Sequence, residues 1–166
     1  TAWLDLDTYV CKDDFDTARR AVGGTLALAK RVLDGKADNG FAVVRPPGHH
    51  ATPTTSMGFC LFNNVSIAAY ELAKFDHKIL IFDPDVHHGN GTQEIFYARN
   101  DVLYQSFHVS PHFPGTGKIE EIGKGKGKGF NMNAPLAHRN GEEAVQRIID
   151  DIFIPAAEQF NPDLIL

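Results

Sequence analysis

Two segments of this chain hold the residue types that hydrolytic chemistry uses. His49 and His50 stand side by side, and Asp83-Pro84-Asp85-Val86-His87-His88-Gly89-Asn90-Gly91 follows further on. Asp85 and His87 are two residues apart, so on an extended backbone their side chains leave the same face. A carboxylate and an imidazole converging there make half of a metal site of the Zn²⁺ or Fe²⁺ type. A divalent metal polarises a carbonyl and acidifies a bound water. A neutral imidazole can then take the water's proton, and a second can support developing charge or pass a proton to a leaving amine. His49 and His50 supply those two groups. Each needs an orienting partner for its other ring nitrogen, and Asp83 and Asn90 are the candidates. Read singly, Asp83 is equally a turn or capping acid, and Asn90 equally a left-handed turn residue. Together the residues point to metal-assisted hydrolysis.

Such groups have to be held by regular elements. Lys78-Ile79-Leu80-Ile81-Phe82 reads as a buried strand that delivers Asp83 onward to its carboxyl edge, where open α/β sheets place ligands. Apolar residues at helical spacing (Phe15, Ala18, Val22, Leu26, Ala29, Leu33) predict a helix over 14–33, capped by Asp13 or Asp14 and stopped by Gly35. Gly23-Gly24 in its middle costs roughly 1 kcal/mol per glycine, which close packing on a neighbour would explain. Phe41 to Val44 reads as a short strand, ended by Arg45-Pro46-Pro47-Gly48. Asn63 or Asn64 caps a helix to about Lys74. Gly91 to Ala98 reads as a short helix, Val102 to Phe107 as a strand, and Glu142 to Phe160 as a helix bent near Pro155. Gly123 to Gly129, alternating Gly and Lys, lacks a phosphate-loop pattern and reads as a solvated flexible loop. Alternating strands and helices predict an α/β domain: a mostly parallel sheet with helices on both faces. Asn161-Pro162-Asp163-Leu164-Ile165-Leu166 reads as a turn and the start of another buried strand. The expectation is a single incomplete domain from a longer protein, with a sheet edge that invites pairing with a second copy.

Composition narrows the classes. The 166 residues are 43% hydrophobic and 22% charged, ordinary for a globular domain with a real core. A formal net charge of −5 argues against direct nucleic-acid binding. No apolar run approaches the ~20 residues of a membrane span, and the first residues carry no signal-peptide pattern. Two cysteines, Cys11 and Cys60, suggest no disulfide framework and are read as reduced, cytoplasmic thiols.

Four stretches carry a family resemblance. They are Arg45-Pro46-Pro47-Gly48-His49-His50-Ala51, Gly58-Phe59-Cys60-Leu61-Phe62-Asn63-Asn64, Asp83 to Gln93, and Phe113-Pro114-Gly115-Thr116-Gly117. In order and over nearly the whole chain, they resemble the histone deacetylase superfamily, with its lysine deacetylases, acetylpolyamine amidohydrolases and acetoin-utilisation-type proteins. Arg-Pro-Pro-Gly before the histidine pair, and Asn90 where other members carry Asp, resemble the class II branch and its bacterial relatives.

The resemblance implies an arginase/deacetylase-like fold and zinc-dependent hydrolysis of an N-acetyl amide, on lysine or a polyamine, to amine and acetate. Asp85 and His87 correspond to two of three protein ligands of the metal, Zn²⁺ or Fe²⁺. His50 corresponds to the general base and His49 to its electrostatic or acid partner, with Asp83 orienting His49 and Asn90 orienting His50. Phe59 and Phe113 match the walls of the acyl channel, Gly58 the backbone that meets the substrate amide, and Asp7 a rim aspartate. A potassium ion is implied beside the metal, held by Asp83, Asp85, His87, Ser106 and Phe107. The third ligand, an aspartate, and the carbonyl-polarising tyrosine are expected beyond Leu166. His88, His108 and His112 are read as structural or rim residues, and His77 and His138 as surface residues. The rival expectation is a non-catalytic metal- or acyl-lysine-binding fragment that works through a partner.

Overall fold

The computed structural model describes every residue from Thr1 to Leu166. An N-terminal antiparallel pair, β1 (Ala2–Trp3) and β2 (Tyr9–Val10), precedes the long helix α1 (Asp14–Leu33). Then follow α2 (Asn64–Ala73), β3 (Ile79–Asp83), α3 (Asn90–Phe96), β4 (Val102–Val109), β5 (Asn131–Leu136), α4 (Glu142–Ile148), α5 (Ile154–Phe160) and β6 (Leu164–Ile165). The main sheet has the order β5-β4-β3-β6, and each pairing is parallel. Such pairing needs crossovers: α3 carries the chain from β3 to β4, and α4 with α5 carries it from β5 back to β6, whereas β4 and β5 are joined by a long loop whose one regular piece is a short 3-10 turn at Gly125–Gly127.

Alternation along the strands sorts two cores. Ile79 and Ile81 of β3, with Val102 and Tyr104 of β4, pack under Ala29 of α1, Ala69, Leu72 and Ala73 of α2, and Phe96 of α3. Leu80 and Leu103 point to the opposite face, against Phe160 of α5. Helices therefore cover both faces, as the strand-helix alternation predicts. Burying each such Ile, Val or Leu side chain contributes roughly 1.5–3 kcal/mol relative to exposure. The pleat matters for chemistry as well: Asp83 shares the parity of Ile79 and Ile81, so it emerges on the face where Tyr104 lies.

Asn63 caps α2, its side chain accepting from the Ser66 N–H, as the sequence predicts. Other expectations need correction. Residues 41–44 form no strand. Phe41 and Val43 are 89% and 86% exposed, and the segment pairs with no strand, without which β propensity has nothing to act on. A Cβ at Gly23 would meet nothing, and one at Gly24 only Val44 Cγ1 at 3.7 Å, so close packing does not explain those glycines. The bend expected near Pro155 is absorbed one turn earlier as a π-helical turn at Ile149–Phe153. Proline lacks an N–H and crowds the carbonyl four residues back, and a widened turn accommodates both. The Gly-Lys segment is docked rather than free: Gly127 is buried, and the Lys124 N–H donates to the Tyr97 carbonyl at 2.8 Å. Cβ atoms at Gly123 or Gly127 would run into backbone, so the glycines serve close approach. No helix is long and apolar enough to cross a membrane.

Both thiols are free. Burial pushes the Cys60 thiol up to about 11, and its Sγ donates to the Gly58 carbonyl at 3.3 Å. Cys11 is exposed. The thiolate is the reactive form, so an alkylating reagent at neutral pH should label Cys11 in the native state and Cys60 only after denaturation. Mass mapping of the labelled peptides checks this, and rapid native labelling of Cys60 would contradict its burial.

Candidate active site

The carboxyl end of β3 carries the site. Asp83 is its last residue, 12% exposed at the side chain, and its carboxylate is fully engaged. Oδ2 accepts from His49 Nδ1 at 3.0 Å and from the Tyr104 hydroxyl at 3.0 Å, while Oδ1 accepts from the Asp85 N–H at 3.2 Å. A carboxylate only accepts, so His49 Nδ1 carries a proton. Burial alone would raise the Asp83 carboxyl, but the hydrogen bond and charge of His49 outweigh it and hold it below its ordinary value. Burial likewise pulls His49 down, yet the bond and charge of Asp83, with the charge of Asp85, hold that imidazole above its ordinary value. His49 is thus predisposed to be cationic.

His50 is predisposed to the opposite state. Its Nδ1 lies 2.8 Å from Asn90 Oδ1, at the first residue of α3. An amide oxygen accepts, so Nδ1 carries the proton and Nε2 keeps a free lone pair. Burial, and then the neighbouring charge of His49, lower the His50 pKa against the smaller support of Asn90. The two ring centroids are 4.0 Å apart, too close for both rings to charge easily. The geometry therefore pairs a neutral, base-competent imidazole with a charge-prone one.

Asp85 and His87 also meet, though not by the route the spacing suggests. β3 ends at Asp83, and residues 84–89 bend away from extended geometry. An Asx turn brings the pair together: Asp85 Oδ1 accepts from the His87 N–H at 2.8 Å and lies 3.2 Å from His87 Nδ1. Both side chains are partly open, at 47% and 36% exposure. The His87 ring sits 6.0 Å from His50 and 5.9 Å from Phe113, which itself stands edge-on to His50 at 5.1 Å. A hard carboxylate oxygen and an imidazole nitrogen at one point suit a Zn²⁺-type ion. No third His, Cys, Asp or Glu joins them in a cluster. The chain therefore offers two donors where catalytic zinc sites use three.

The turn Met57-Gly58-Phe59-Cys60 forms the neighbouring wall. Gly58 and Phe59 have φ of 55° and 66°, and the Cys60 N–H donates to the Met57 carbonyl at 2.9 Å. Gly58 is required twice over, because a Cβ there would fall 2.4 Å from His50 Cδ2. Gly89 is similarly constrained: a Cβ would lie 2.3 Å from Asp83 Oδ2 and 2.6 Å from the Tyr104 hydroxyl. Phe59 is 58% and Phe113 40% exposed, so both present ring surface outward. Asp7 sits in the loop between β1 and β2, and a hollow of about 320 Å³ joins it to Thr8, Asp14, Arg45 and Phe59.

Ser106 lies opposite Asp83 in the β3–β4 register, with Phe107 next to it. The Ser106 hydroxyl is 3.0 Å from His108 Nδ1, and His108 Nε2 donates to the Gly117 carbonyl at 2.9 Å. That tautomer makes Ser106 the donor and leaves both lone pairs of its oxygen free.

Sequence reasoning passes over three supports. Tyr104 donates to Asp83 and, more weakly, to the Gly89 carbonyl at 3.3 Å. Burial, then the Asp83 charge, pushes its phenol well above the ordinary value, so it stays a donor. Gln93 sits at the centre of a second network: its Oε1 accepts from His88 Nε2, Asn131 Nδ2 and Asn133 Nδ2 at 3.1, 2.8 and 2.7 Å, and its Nε2 donates to Glu121 at 2.6 Å. This network anchors His88 beneath the site, and burial with the His108 charge lowers His88 to about 4. His88 is accordingly a neutral packing residue. Thr8 is the third: its hydroxyl accepts from the Phe59 N–H at 2.9 Å. A tyrosine one strand away from its acid, at the same pleat parity, is the only one of these signals that the sequence pattern could have offered.

A parallel α/β sheet with a histidine–carboxylate pair and a histidine–amide pair at its carboxyl edge defines a deacetylase-type domain. Residues 2–166 match the histone deacetylase domain, and the chain belongs to that family. It is 45% identical over 163 residues to a probable deacetylase of Archaeoglobus fulgidus, covering 98% of this chain and 45% of the relative. It is 42% identical over 167 residues to a histone deacetylase-like amidohydrolase of Pseudomonas aeruginosa, covering 98% and 44%. The crystal structure of an acetylpolyamine aminohydrolase from Burkholderia pseudomallei superposes with a TM-score of 0.90 at 39% identity, over 99% of this chain and 48% of that one. The chain spans about half the length of the curated relatives it matches.

Proposed function

We propose that the protein hydrolyses an N-acetyl amide to a free amine and acetate, with acetyl-lysine or an acetylated polyamine as substrate. The observation that carries this reading is the asymmetric histidine pair. His50, neutral and backed by an amide, would take the proton of the attacking water at Nε2. His49, backed by the Asp83 carboxylate, would hold positive charge beside the developing oxyanion and later protonate the leaving amine. Phe59 and Phe113 would flank the acyl chain and exclude water, with Gly58 offering backbone to the substrate amide and Asp7 gripping the substrate at the rim. Relatives named for acetylpolyamine hydrolysis and for histone deacetylation support both substrate classes.

Asp85 and His87 would hold a divalent metal, zinc by donor chemistry or Fe²⁺, which when bound supplies Lewis acidity to the substrate carbonyl and to water. A potassium ion would find oxygen donors in the Asp83, Asp85, His87, Ser106 and Phe107 shell, where Ser106 keeps its lone pairs. The test is turnover of acetyl-lysine peptide and acetylspermidine by the full-length protein, with zinc counted per chain. Asp85→Asn should lower zinc affinity by about tenfold or more while moving the melting temperature of the metal-free protein little, because that side chain is half open. Full zinc occupancy and unchanged turnover in Asp85→Asn would remove it from the ligand set.

The alternative is a non-catalytic module that binds metal or acyl-lysine and acts through a partner. Tight binding of the acetylated peptide without acetate release, in a protein loaded with zinc, would support that reading instead.

A further inference from the structure

Thr8 is 2% exposed, although it lies in the short loop between two small edge strands. Its hydroxyl makes two contacts in opposite senses. It donates to Asp7 Oδ1 at 3.1 Å, and it accepts from the Phe59 N–H at 2.9 Å, 51 residues away in sequence. Its own N–H donates to Asp5 Oδ1 at 2.6 Å, and the Asp7 N–H reaches the same oxygen at 3.0 Å. The loop is thus closed on itself by Asp5, and Thr8 is its one side-chain hydrogen bond to the body of the protein.

The far end of that bond is a demanding position. Phe59 holds a φ of 66°, a conformation that costs a bulky residue energy and persists only where its surroundings enforce it. The residue before it, Gly58, lies so close to His50 that a Cβ would clash. A small rotation of this turn would therefore move the Phe59 ring and press the backbone onto the base. The turn has its own bond from Cys60 to Met57, but the Phe59 N–H points outward from it and is taken up by Thr8.

We propose that Thr8 is a positioning residue whose hydroxyl ties the Asp7 carboxylate at the rim to the Phe59 turn beside His50. A hydroxyl is required, because the group must donate on one side and accept on the other. Valine matches its shape and can do neither. Substrate engagement at Asp7 is then transmitted to the wall of the acyl channel through one side chain. This inference rests on the deacetylase reading for its kinetic consequence, but not for its structural one.

The experiment compares Thr8→Val, Thr8→Ser and Thr8→Ala with wild type in the full-length protein. Turnover is measured on an acetyl-lysine peptide and on a minimal acetyl-lysine amide, and hydrogen exchange is followed at the Phe59 amide. Misplacing a group beside the chemistry by about an ångström can cost ~10²-fold. The expected result is a loss of about tenfold to a hundredfold in kcat/KM for Thr8→Val, with kcat as well as KM affected, and a Phe59 amide that exchanges faster. Thr8→Ser should recover most of the rate and the protection. A packing role for the threonine methyl predicts the reverse order, with Thr8→Val near wild type and Thr8→Ser impaired, and that order would overturn the proposal. Thr8→Ala carries the same comparison should Thr8→Val fail to fold. A wild type without turnover would defeat the deacetylase reading alone, and the exchange of the Phe59 amide would still decide the role of Thr8: unchanged protection in Thr8→Val overturns it.

Discussion

Replacing His50 by alanine in the full-length protein is expected to lower kcat on an acetylated lysine substrate by about 10²–10⁴, the range typical of a lost general base. The melting temperature should change modestly. His50 is buried to 5% exposure, so alanine leaves a gap, but the ring's only side-chain hydrogen-bond partner is Asn90. Asn90 retains two further acceptors, the His50 carbonyl and Met57 sulfur, for its own N–H groups. The effect should therefore fall on rate rather than on folding. His49→Ala makes a useful contrast. It removes the hydrogen-bonded partner of the buried Asp83 carboxylate, and so should destabilise as well as inactivate. A His50→Ala protein that keeps most of its kcat, with zinc occupancy equal to wild type, would exclude His50 as the base. Loss of zinc in that variant would instead trace the defect to metal binding.

The pairing of His49 with Asp83 and of His50 with Asn90 is legible in sequence because it rests on motifs whose members lie close together on two loops. His49 and His50 are adjacent, and Asp83 and Asn90 flank a single turn. The meeting of Asp85 and His87 is legible for an incomplete reason. Alternation on a strand predicts it, whereas the strand stops at Asp83 and an Asx turn brings the two together. Both routes give one carboxylate and one imidazole at a point, so the endpoint survives a change of mechanism. Residues 41–44 show the opposite case. Their composition suits a strand, but strand formation depends on a neighbour that supplies hydrogen bonds, and composition says nothing about neighbours. Thr8 and Tyr104 are hidden from the sequence for a related reason. Each acts on a residue far away along the chain, through a hydrogen bond that exists only once the loop between β1 and β2, or β4, has been placed. The glycines at 123–129 look like flexible linker in composition, and those at 123 and 127 prove to be sites of close backbone approach.

Asp83→Ala should be the most damaging single change in this region, in stability as much as in rate. The carboxylate is nearly buried and accepts three hydrogen bonds, from His49, Tyr104 and the Asp85 backbone. Alanine leaves the His49 donor without an acceptor and Tyr104 with only its longer bond to the Gly89 carbonyl at 3.3 Å, and a buried unsatisfied group costs about 1–3 kcal/mol. Breaking the ion pair adds to this, so a total of about 3–5 kcal/mol is expected. The rate should fall by roughly 10⁴, since an imidazole that loses its carboxylate can adopt the wrong tautomer and no longer supports positive charge. Asp83→Asn separates the two effects. An amide oxygen at the Oδ2 position would still accept from His49 and Tyr104, while its NH₂ group would face the Asp85 N–H donor. Geometry would largely survive and the charge would not. The Asp83→Asn protein is therefore expected to keep most of the folding stability while losing most of the rate. Tyr104→Phe removes only one of the donors and should cost about 1 kcal/mol. Denaturant titration and kcat on the three variants test the order. An Asp83→Ala protein as stable and as active as wild type would mean that the His49–Asp83 pair neither holds the end of β3 together nor serves catalysis.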